Sequence, residues 1–507
     1  MTHRSTLEMR IQAIVVRFMQ AFEIPGVALA IVLPDQPGFT VTAGVRAVGE
    51  AEPVDKDTSF AVASNSKAYL SACLAILVDD GVLGWDDPVI RHLPEFRMHD
   101  PALTAMMTVC DLLVHRSGLP LGAGDLMQFP RTDHTRDEVL RAIQYFKPAT
   151  GFRSGYAYDN CLYLVAGMLL ERVSGLSWDE FVARRIFEPL GMSDAVANPT
   201  RVTAVNRAAR HARLGPPTIG MGPLERIEPD EPAIIGPAGG INVSAGSTLA
   251  WLNVQLSRGG LPDGRWLWSA ARADEMWAAH TLIASGPGPT AEMPQRPVLQ
   301  AYALGWGVSD YRGVRMITHG GGLAGQATRT ALLPEQGIGL AVYTNSGDAE
   351  PVSGLRYALL DLLLGVPEFD WIGSTRKTID ETHRQVVALL GDGNFQTPPG
   401  GPSLPLKRYV GRYRDRWYGD VIVAFEGGRL SIDFTRTPVF KGRLEPFGVD
   451  RFRTRFARGA GEDAVLTFVV EDGAVTGITM QALSPIADFS FDFKDLAFVR
   501  VDDAARS

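Results

Sequence analysis

FAVASNSKAYLSACLAILVDDGVL, residues 60–83, contains a long apolar helix pattern. Its first four residues are apolar and strand-like, and no charged residue occurs between Lys67 and Asp79. The pattern predicts a strand that leads into a strongly apolar helix. Ser64 and Lys67 then lie one turn apart at the helix N-terminus, where backbone N–H groups and the helix dipole favour negative charge.

The patterns on either side of this stretch predict an α+β fold. Strand patterns occur early and late in the first 366 residues, at Gly26–Val32, Phe39–Gly49, around Ile317, Ala327–Leu333 and Ile338–Thr344. Helical patterns lie between them, at Val109–Val114, Arg136–Tyr145, Leu162–Ser174 and Trp178–Ile186. This order predicts an antiparallel sheet flanked by helices, with an all-helical subdomain beside it.

The last third of the chain has a different pattern. Ser374–Leu390 predicts one more helix, and the Pro/Gly-rich stretch Gln396–Pro405 predicts a linker. From Lys407 onward short alternating strands are separated by hairpin signals such as Gly427-Gly428 and Asp472-Gly473, which predicts a small antiparallel β-barrel. The predicted domains are therefore residues 1–366, a helix and linker over 367–405, and a barrel over 406–507.

The composition is that of an ordinary globular protein. Of 507 residues, 46% are apolar and 21% are charged, and the net charge is −8 without a basic block. This charge disfavours a nucleic-acid partner, and no apolar run is long enough to predict a membrane span. The three cysteines argue against a disulfide framework. Self-association is left open by these numbers.

The N-terminus predicts an amphipathic helix, because Arg10 and Arg17 interrupt its apolar pattern and no small-residue cleavage site follows. Cytoplasmic localisation is therefore the expectation. If a signal peptide was removed from the chain, the expectation becomes periplasmic.

The chemistry predicted for Ser64 depends on Lys67. A nucleophilic serine needs a nearby base, and a lysine in an apolar place can lose its proton near neutral pH. The chain has only seven lysines among 49 basic residues, and arginine cannot serve as a base. The alternative reading is a helix-capping serine with an exposed lysine, and Ser374 and Lys377 form such a pair.

Two further motifs carry polar groups that suit carbonyl chemistry. Tyr158 and Asn160 precede an apolar helix, where a phenol can move a proton and an amide can hold a substrate. His319 is followed by Gly320, Gly321 and Gly322, which allow a substrate to approach the backbone closely. The same glycines fit a dinucleotide fingerprint, but a strand pattern follows where that fold requires a helix. No metal-ligand spacing and no cofactor motif is present.

In this order the motifs resemble those of the penicillin-recognising serine hydrolases, the superfamily of class C β-lactamases, DD-peptidases, D-aminopeptidases and β-lactamase-like esterases. The resemblance extends over residues 24–347. Further stretches that are similar to the family are IPGVALAIV, WDDPVIRHLPEF, LLVHRSGL, FEPLGM and PAGGINVSAG. The C-terminal module resembles the lipocalin-like barrel of some peptidases in this group.

The resemblance implies a role for each motif. Ser64 would be the acylated nucleophile, Lys67 its base or proton relay, and Tyr158 a second proton-transfer group. Asn160 would orient the substrate carbonyl. Gly322 would supply an oxyanion N–H together with Ser64.

Two departures from the family pattern narrow the expected activity. His319 stands where β-lactamases of this superfamily have a lysine, and it provides a weaker fixed charge for a substrate carboxylate. Asp159 stands where a small residue is common. Both favour a peptidase, amidase or esterase over a dedicated β-lactamase. The leading expectation is a peptidase or amidase acting on small or D-residue-containing peptides.

Three alternatives stay open at this point. An esterase or acyltransferase and a weak β-lactamase would use the same chemistry. A non-catalytic binding or sensor protein would keep the fold and have no turnover.

Overall fold

The computed structural model describes residues 3–390 and 398–501. An antiparallel eight-stranded sheet lies at the centre of the N-terminal unit, residues 3–390. The strands of this unit are β1 (Gly26–Leu33), β2 (Gln36–Gly44), β3 (Ser59–Ala61), β4 (Arg210–Arg213), β5 (Leu224–Ile227), β6 (Asn242–Ser244), β7 (Thr281–Ile283), β8 (Gln300–Tyr302), β9 (Gly307–Tyr311), β10 (Val314–Leu323), β11 (Gln326–Leu333) and β12 (Ile338–Thr344). The sheet order is β2-β1-β12-β11-β10-β9-β8-β7.

Helices cover both faces of this sheet. They are α1 (His3–Phe22), α2 (Ser66–Asp79), α3 (Val89–His92), α4 (Pro101–Met106), α5 (Arg136–Ala142), α6 (Cys161–Ser174), α7 (Trp178–Val182), α8 (Glu188–Leu190), α9 (Gly236–Gly239), α10 (Ala245–Leu256), α11 (Ala270–Met276), α12 (Ala349–Leu364) and α13 (Trp371–Leu390). One apolar cluster joins α1 and α12 to one face of the sheet, and a second contains α2 and α6. The predicted antiparallel sheet flanked by helices is confirmed.

Helix α2 is the buried centre of the helical part. Every residue from Ser66 to Leu77 is buried, as expected for an apolar run without periodicity. The strand β3 delivers the chain to α2 and pairs with β6. The start of α2 is thereby fixed between the sheet and the helices α6 and α9.

The C-terminal unit is a closed antiparallel barrel. Its strands are β13 (Gly411–Asp415), β14 (Gly419–Glu426), β15 (Arg429–Phe434), β16 (Lys441–Pro446), β17 (Arg451–Arg455), β18 (Ala464–Glu471), β19 (Ala474–Ala482) and β20 (Ala497–Val501). The hairpin turns at Gly427-Gly428 and Asp472-Gly473 have positive φ angles, which is why glycine is used there. The predicted barrel is confirmed.

Several predicted boundaries differ from the structure. The helix predicted over Val109–Val114 is a single 3₁₀ turn, Cys110–Leu112, and the second strand ends at Gly44 instead of Gly49. The last helix of the N-terminal unit begins at Trp371, so Ser374 lies inside it and Asp370 accepts from the Gly373 N–H at its start.

The division of the chain at residues 366 and 405 stays a prediction. Part of the predicted linker, residues 396–397, lies outside the described residues, as do the last six residues of the predicted barrel domain. None of the described helices is long and apolar enough to cross a membrane.

Candidate active site

Ser64 lies in a 3₁₀ turn, Ala63–Asn65, that leads directly into α2. Ala63 has a φ of +49°, a left-handed conformation that is costly for a residue with a side chain. The Asn65 amide donates to Val62 O and to Thr328 Oγ1, at 3.0 and 2.9 Å. The turn that presents Ser64 is therefore tied to the neighbouring sheet strand β11.

Lys67 is fully buried, and its Nζ has three partners. It lies 3.0 Å from Ser64 Oγ, 2.7 Å from Asn160 Oδ1 and 2.8 Å from Ala238 O. Burial lowers the pKa of Lys67 to about 7, although nearby Asp125 and Asp159 act in the opposite direction. Near neutral pH a large fraction of this lysine is therefore an uncharged amine.

Tyr158 is the third group beside Ser64. The Lys67 Nζ lies over its ring, 4.8 Å from the centroid. Burial raises the pKa of the Tyr158 phenol well above its ordinary value, and the nearby Ser64 hydroxyl opposes this shift. Within the described part of the chain the phenol oxygen is buried and forms no hydrogen bond of full geometry. It is therefore a protonated phenol with an unused donor near Ser64.

Asn160 connects Lys67 to a buried carboxyl group. Its Nδ2 donates to Asp125 Oδ2 at 2.9 Å, so its Oδ1 faces Lys67. Burial raises the pKa of Asp125 to about 8, against the hydrogen bonds that it accepts from Ser490 and Asn160. The Asn160 amide is thus oriented with its Nδ2 on Asp125 and its Oδ1 on Lys67.

His319 is buried next to this group and is uncharged. Its Nδ1 lies 2.6 Å from Gly320 O, which can only accept, so Nδ1 carries the proton. The Tyr302 hydroxyl then donates to Nε2 at 2.8 Å. Burial lowers the pKa of His319 to about 3, and the charge of Lys67 adds to this shift. The third motif therefore supplies no cation at neutral pH.

The three glycines after His319 differ in their surroundings. A Cβ at Gly321 would clash with Val62 O and Thr328 Oγ1, because β10 packs directly on the turn that carries Ser64. A Cβ at Gly320 would press against the Arg329 guanidinium. Gly322 is exposed, and no described atom lies near the position of its Cβ. Gly322 is thus open to solvent on the side that a Cβ would occupy.

The second Ser-Lys pair has none of these features. Ser374 and Lys377 lie on α13, and the Lys377 side chain is exposed. The structure thus brings Ser64, Lys67, Tyr158 and Asn160 together, with His319 beside them, and leaves the second pair at the surface.

The comparison with protein families gives two matches. Residues 11–364, more than half of the chain, match the family model described as Beta-lactamase. The chain belongs to the beta-lactamase family. Residues 396–500 match a domain of unknown function (DUF3471), which covers the strands of the barrel.

Curated relatives of this beta-lactamase-family chain include hydrolases and penicillin-binding proteins. The Unguisins hydrolase ungD of Aspergillus violaceofuscus is 28% identical over 83% of this chain and 77% of its own length. Penicillin-binding protein 4 of Amycolatopsis lactamdurans is also 28% identical, over 68% of this chain and 87% of its own. These relatives support a serine hydrolase.

Solved structures share the fold. An octameric penicillin-binding protein homologue from Pyrococcus abyssi aligns with 97% of this chain and 99% of its own, at a TM-score of 0.59 and 20% identity. A D-amino acid amidase from Ochrobactrum anthropi aligns with 73% of this chain and 99% of its own length, at a TM-score of 0.56 and 22% identity. The assembly of the present chain stays a prediction.

Sequence reasoning missed Asp125 and the position of His115. Asp125 lies in a 3₁₀ turn, Asp125–Met127, with no motif around it. His115 packs against the rings of Tyr158 and Tyr302 at 4.2 and 4.4 Å between centroids. The sequence LLVHRSGL, one of the stretches that resemble the family, could have indicated that His115 lies near the site.

Asp159, noted in the sequence as unusual, is part of the helix start. Its Oδ1 accepts from the Leu162 N–H at 3.0 Å in the first turn of α6. Its carboxyl group also lies 3.7 Å from His115 Nδ1. The acidic side chain thus points into the packing behind Tyr158.

Proposed function

We propose that this protein is a serine hydrolase that forms an acyl-enzyme on Ser64 and cleaves amide bonds in small peptides or amino-acid amides, including those with D-residues. The observation that carries the proposal is the set of partners of Lys67. A neutral amine has two N–H donors and one lone pair. Asn160 Oδ1 and Ala238 O can only accept, so they take the two N–H groups.

The lone pair is then directed at the remaining partner, the Ser64 hydroxyl, at 3.0 Å. This is the geometry that a general base needs, and the lowered pKa of Lys67, about 7, makes the free amine available near neutral pH. Tyr158 is suited to donate its proton, since burial raises the pKa of its phenol.

The reaction proceeds in two steps, the acylation and the deacylation of Ser64. Ser64 Oγ bonds to the carbonyl carbon while its proton passes to Lys67 Nζ, and the oxyanion accepts from the N–H groups of Ser64 and Gly322. The C–N bond then breaks as the leaving amine takes a proton from Tyr158, which is replenished from Lys67. In the second step water gives a proton to the same pair while its oxygen bonds to the ester carbon. The ester C–O bond then breaks as Ser64 Oγ takes that proton, which releases the carboxylic acid and regenerates Ser64.

The neutral state of His319 bears on the substrate class. A substrate with a carboxylate beside the scissile bond needs a fixed cation, and His319 lacks one because Nε2 accepts from Tyr302. Amides and internal peptide bonds carry no such carboxylate. The relative named as an unguisins hydrolase and the fold shared with a D-amino acid amidase agree with this choice.

The test pairs acyl-enzyme trapping with a matched substrate series. A fluorophosphonate should label Ser64, located by peptide mass spectrometry, and D-phenylalanine amide should be hydrolysed faster than D-phenylalanyl-D-phenylalanine. Ser64→Ala should abolish both signals with an unchanged melting temperature. Ser374→Ala, which alters the exposed Ser-Lys pair, should retain both.

Three results would count against the proposal. Turnover by Ser64→Ala would remove the nucleophile assignment, and preference for the free dipeptide would remove the substrate class. Faster cleavage of D-phenylalanine methyl ester with no amide cleavage would identify an esterase, which uses the same chemistry on a better leaving group.

A further inference from the structure

The barrel contacts the N-terminal unit beside Ser64 through one segment, residues 484–493, which connects β19 and β20. The Ser490 hydroxyl donates to Asp125 Oδ2 at 2.8 Å. The Asp492 carboxylate accepts from the Gly124 N–H at 2.7 Å and from the Leu126 N–H at 3.1 Å. The barrel thus holds the side chain of Asp125 and the backbone on both sides of it.

Asp125 is connected to Ser64 by consecutive hydrogen bonds through Asn160 and Lys67. Asp125 Oδ2 accepts from Asn160 Nδ2 as well as from Ser490. The Asn160 amide is thereby turned so that its Oδ1 accepts from Lys67. The same barrel segment also reaches the Tyr158 ring, which lies 5.7 Å from the ring of Phe489.

We propose that Ser490, a residue of the barrel, is a positioning residue for Lys67. It acts through Asp125 and the Asn160 amide. This inference rests on the proposed function, in which the lone pair of Lys67 takes the Ser64 proton. If the acceptor at Asp125 is lost, the Asn160 amide is free to rotate and the lone pair loses its direction.

The same connection affects the charge of Lys67. A negative Asp125 raises the pKa of Lys67, and the hydrogen bond from Ser490 favours the negative form of Asp125. Removal of the Ser490 hydroxyl should therefore lower the pKa of Lys67. The other titratable groups that face Lys67 or Asp125 are Asp159, Tyr158, Tyr163, His115, His319, Cys161 and Asp492.

The experiment measures kcat/KM for D-phenylalanine amide from pH 5 to pH 9 in the full-length protein. Asp125→Asn keeps an acceptor for Asn160 and removes the group whose negative form raises the pKa of Lys67, so the midpoint of the acidic limb should move down. Ser490→Ala should move it in the same direction by less. Ser490→Thr, which keeps the hydroxyl, should have the wild-type midpoint.

A matched control lies in the same segment. Ser484 is hydrogen-bonded to Thr218 of the N-terminal unit at 3.0 Å, so Ser484→Ala removes a hydroxyl from the same barrel segment at a different contact. It should leave the midpoint unchanged. Thermal unfolding of each variant reports whether it is folded, and Ser490→Ala carries the test if Asp125→Asn does not fold.

The outcomes separate the two proposals. A wild-type midpoint in Ser490→Ala, or an equal shift in Ser484→Ala, would overturn the positioning role. Absence of fluorophosphonate labelling at Ser64 in the wild-type protein would overturn the proposed function itself, whatever the pH profiles show.

Discussion

At the scale of single residues, the burial of Lys67 is the feature with the largest chemical effect. A lysine in water keeps its proton to well above pH 10, whereas here desolvation lowers the pKa to about 7. The unfolded chain therefore binds one more proton than the folded chain between about pH 7 and 10.5. The free energy of unfolding should rise with pH across this window because of this residue.

The first prediction concerns Lys67→Arg. Arginine keeps the positive charge and cannot be deprotonated, so kcat/KM should fall on the order of 10³-fold. In the wild-type protein kcat/KM should fall tenfold per pH unit below about pH 7, as the amine of Lys67 becomes protonated. Steady-state kinetics between pH 5 and pH 9 measure both effects. A flat profile through pH 6, or a variant with more than a tenth of the activity, would contradict the role of a general base.

Ser64 and Lys67 could be predicted from the sequence because their relation is local, three residues along one helix. Tyr158, Asn160 and His319 could be predicted because their motifs occur along the chain in the same order as in the family that the sequence resembles. Asp125 could not be predicted, since nothing near it in sequence indicates that Asn160 and Ser490 meet at its carboxyl group. The uncharged state of His319 also depends on a partner, Tyr302, that only the folded chain identifies.

At the scale of elements, the packing of β10 on the turn before α2 determines where the nucleophile lies. The glycines of β10 pair with β11, Gly321 with Thr328 and Gly322 with Ala327. Only the first of these two glycines faces the turn, so the two positions can be compared directly.

The second prediction uses this pair of glycines. In Gly321→Ala the new methyl group clashes with Val62 O and Thr328 Oγ1, and the free energy of unfolding should fall by about 1–3 kcal/mol. In Gly322→Ala the methyl group points into open space, and stability should stay near that of the wild-type protein. Urea unfolding measures both values. Equal values for the two variants would show that the contact between β10 and the turn contributes little.

Elements with a continuous apolar run could be predicted well from the sequence, and short ones could not. The β1 and β12 patterns are of this kind, because buried strands are continuous apolar runs. The sequence pattern predicts that Cys110–Leu112 is part of a helix. In the structure the chain makes only one 3₁₀ turn there, and it then places His115 against Tyr158. Such a turn is set by tertiary contacts that a window of sequence does not contain.

At the scale of the whole molecule, buried aromatic rings of the two units pack against each other. Phe146 packs on Trp417 at 5.3 Å, and His134 packs on Tyr418 at 5.4 Å between ring centroids. Arg436 of the barrel pairs with Asp133 and with Glu138, the latter at 2.9 Å.

The third prediction is that Arg436→Ala weakens this interface. The free energy of unfolding should fall by about 1–2 kcal/mol at pH 7. The hydrogen bond from Arg436 lowers the pKa of Glu138 from 4.5 to about 2, so this contribution is present above pH 4.5 and is lost as the pH falls towards 2. The difference between wild type and variant should therefore shrink at pH 3.

Denaturation followed by tryptophan fluorescence at both pH values makes the comparison. Arg429→Ala removes an exposed arginine of the barrel and should have little effect at either pH. A difference between wild type and Arg436→Ala that is the same at pH 7 and pH 3 would assign the effect to packing instead of charge.

The barrel itself was predictable, because its alternating residues and glycine turns are local signals. Its connection to Lys67 was not predictable, since Asp125 and Ser490 are 365 residues apart. No periodicity relates two positions so distant in the chain.

The hydrogen bonds that Asp492 accepts from the Gly124 and Leu126 N–H groups also limit which barrels can be joined to this N-terminal unit by recombination. A chimera that joins the first 390 residues to a barrel without a carboxyl group in the place of Asp492 would leave the Gly124 and Leu126 N–H groups without their acceptor. Exchange for such a barrel should therefore succeed only when the loop around residues 118–130 is transplanted with it. Gly124 and Asp492 would have to be inherited together, although they are 368 residues apart in the chain.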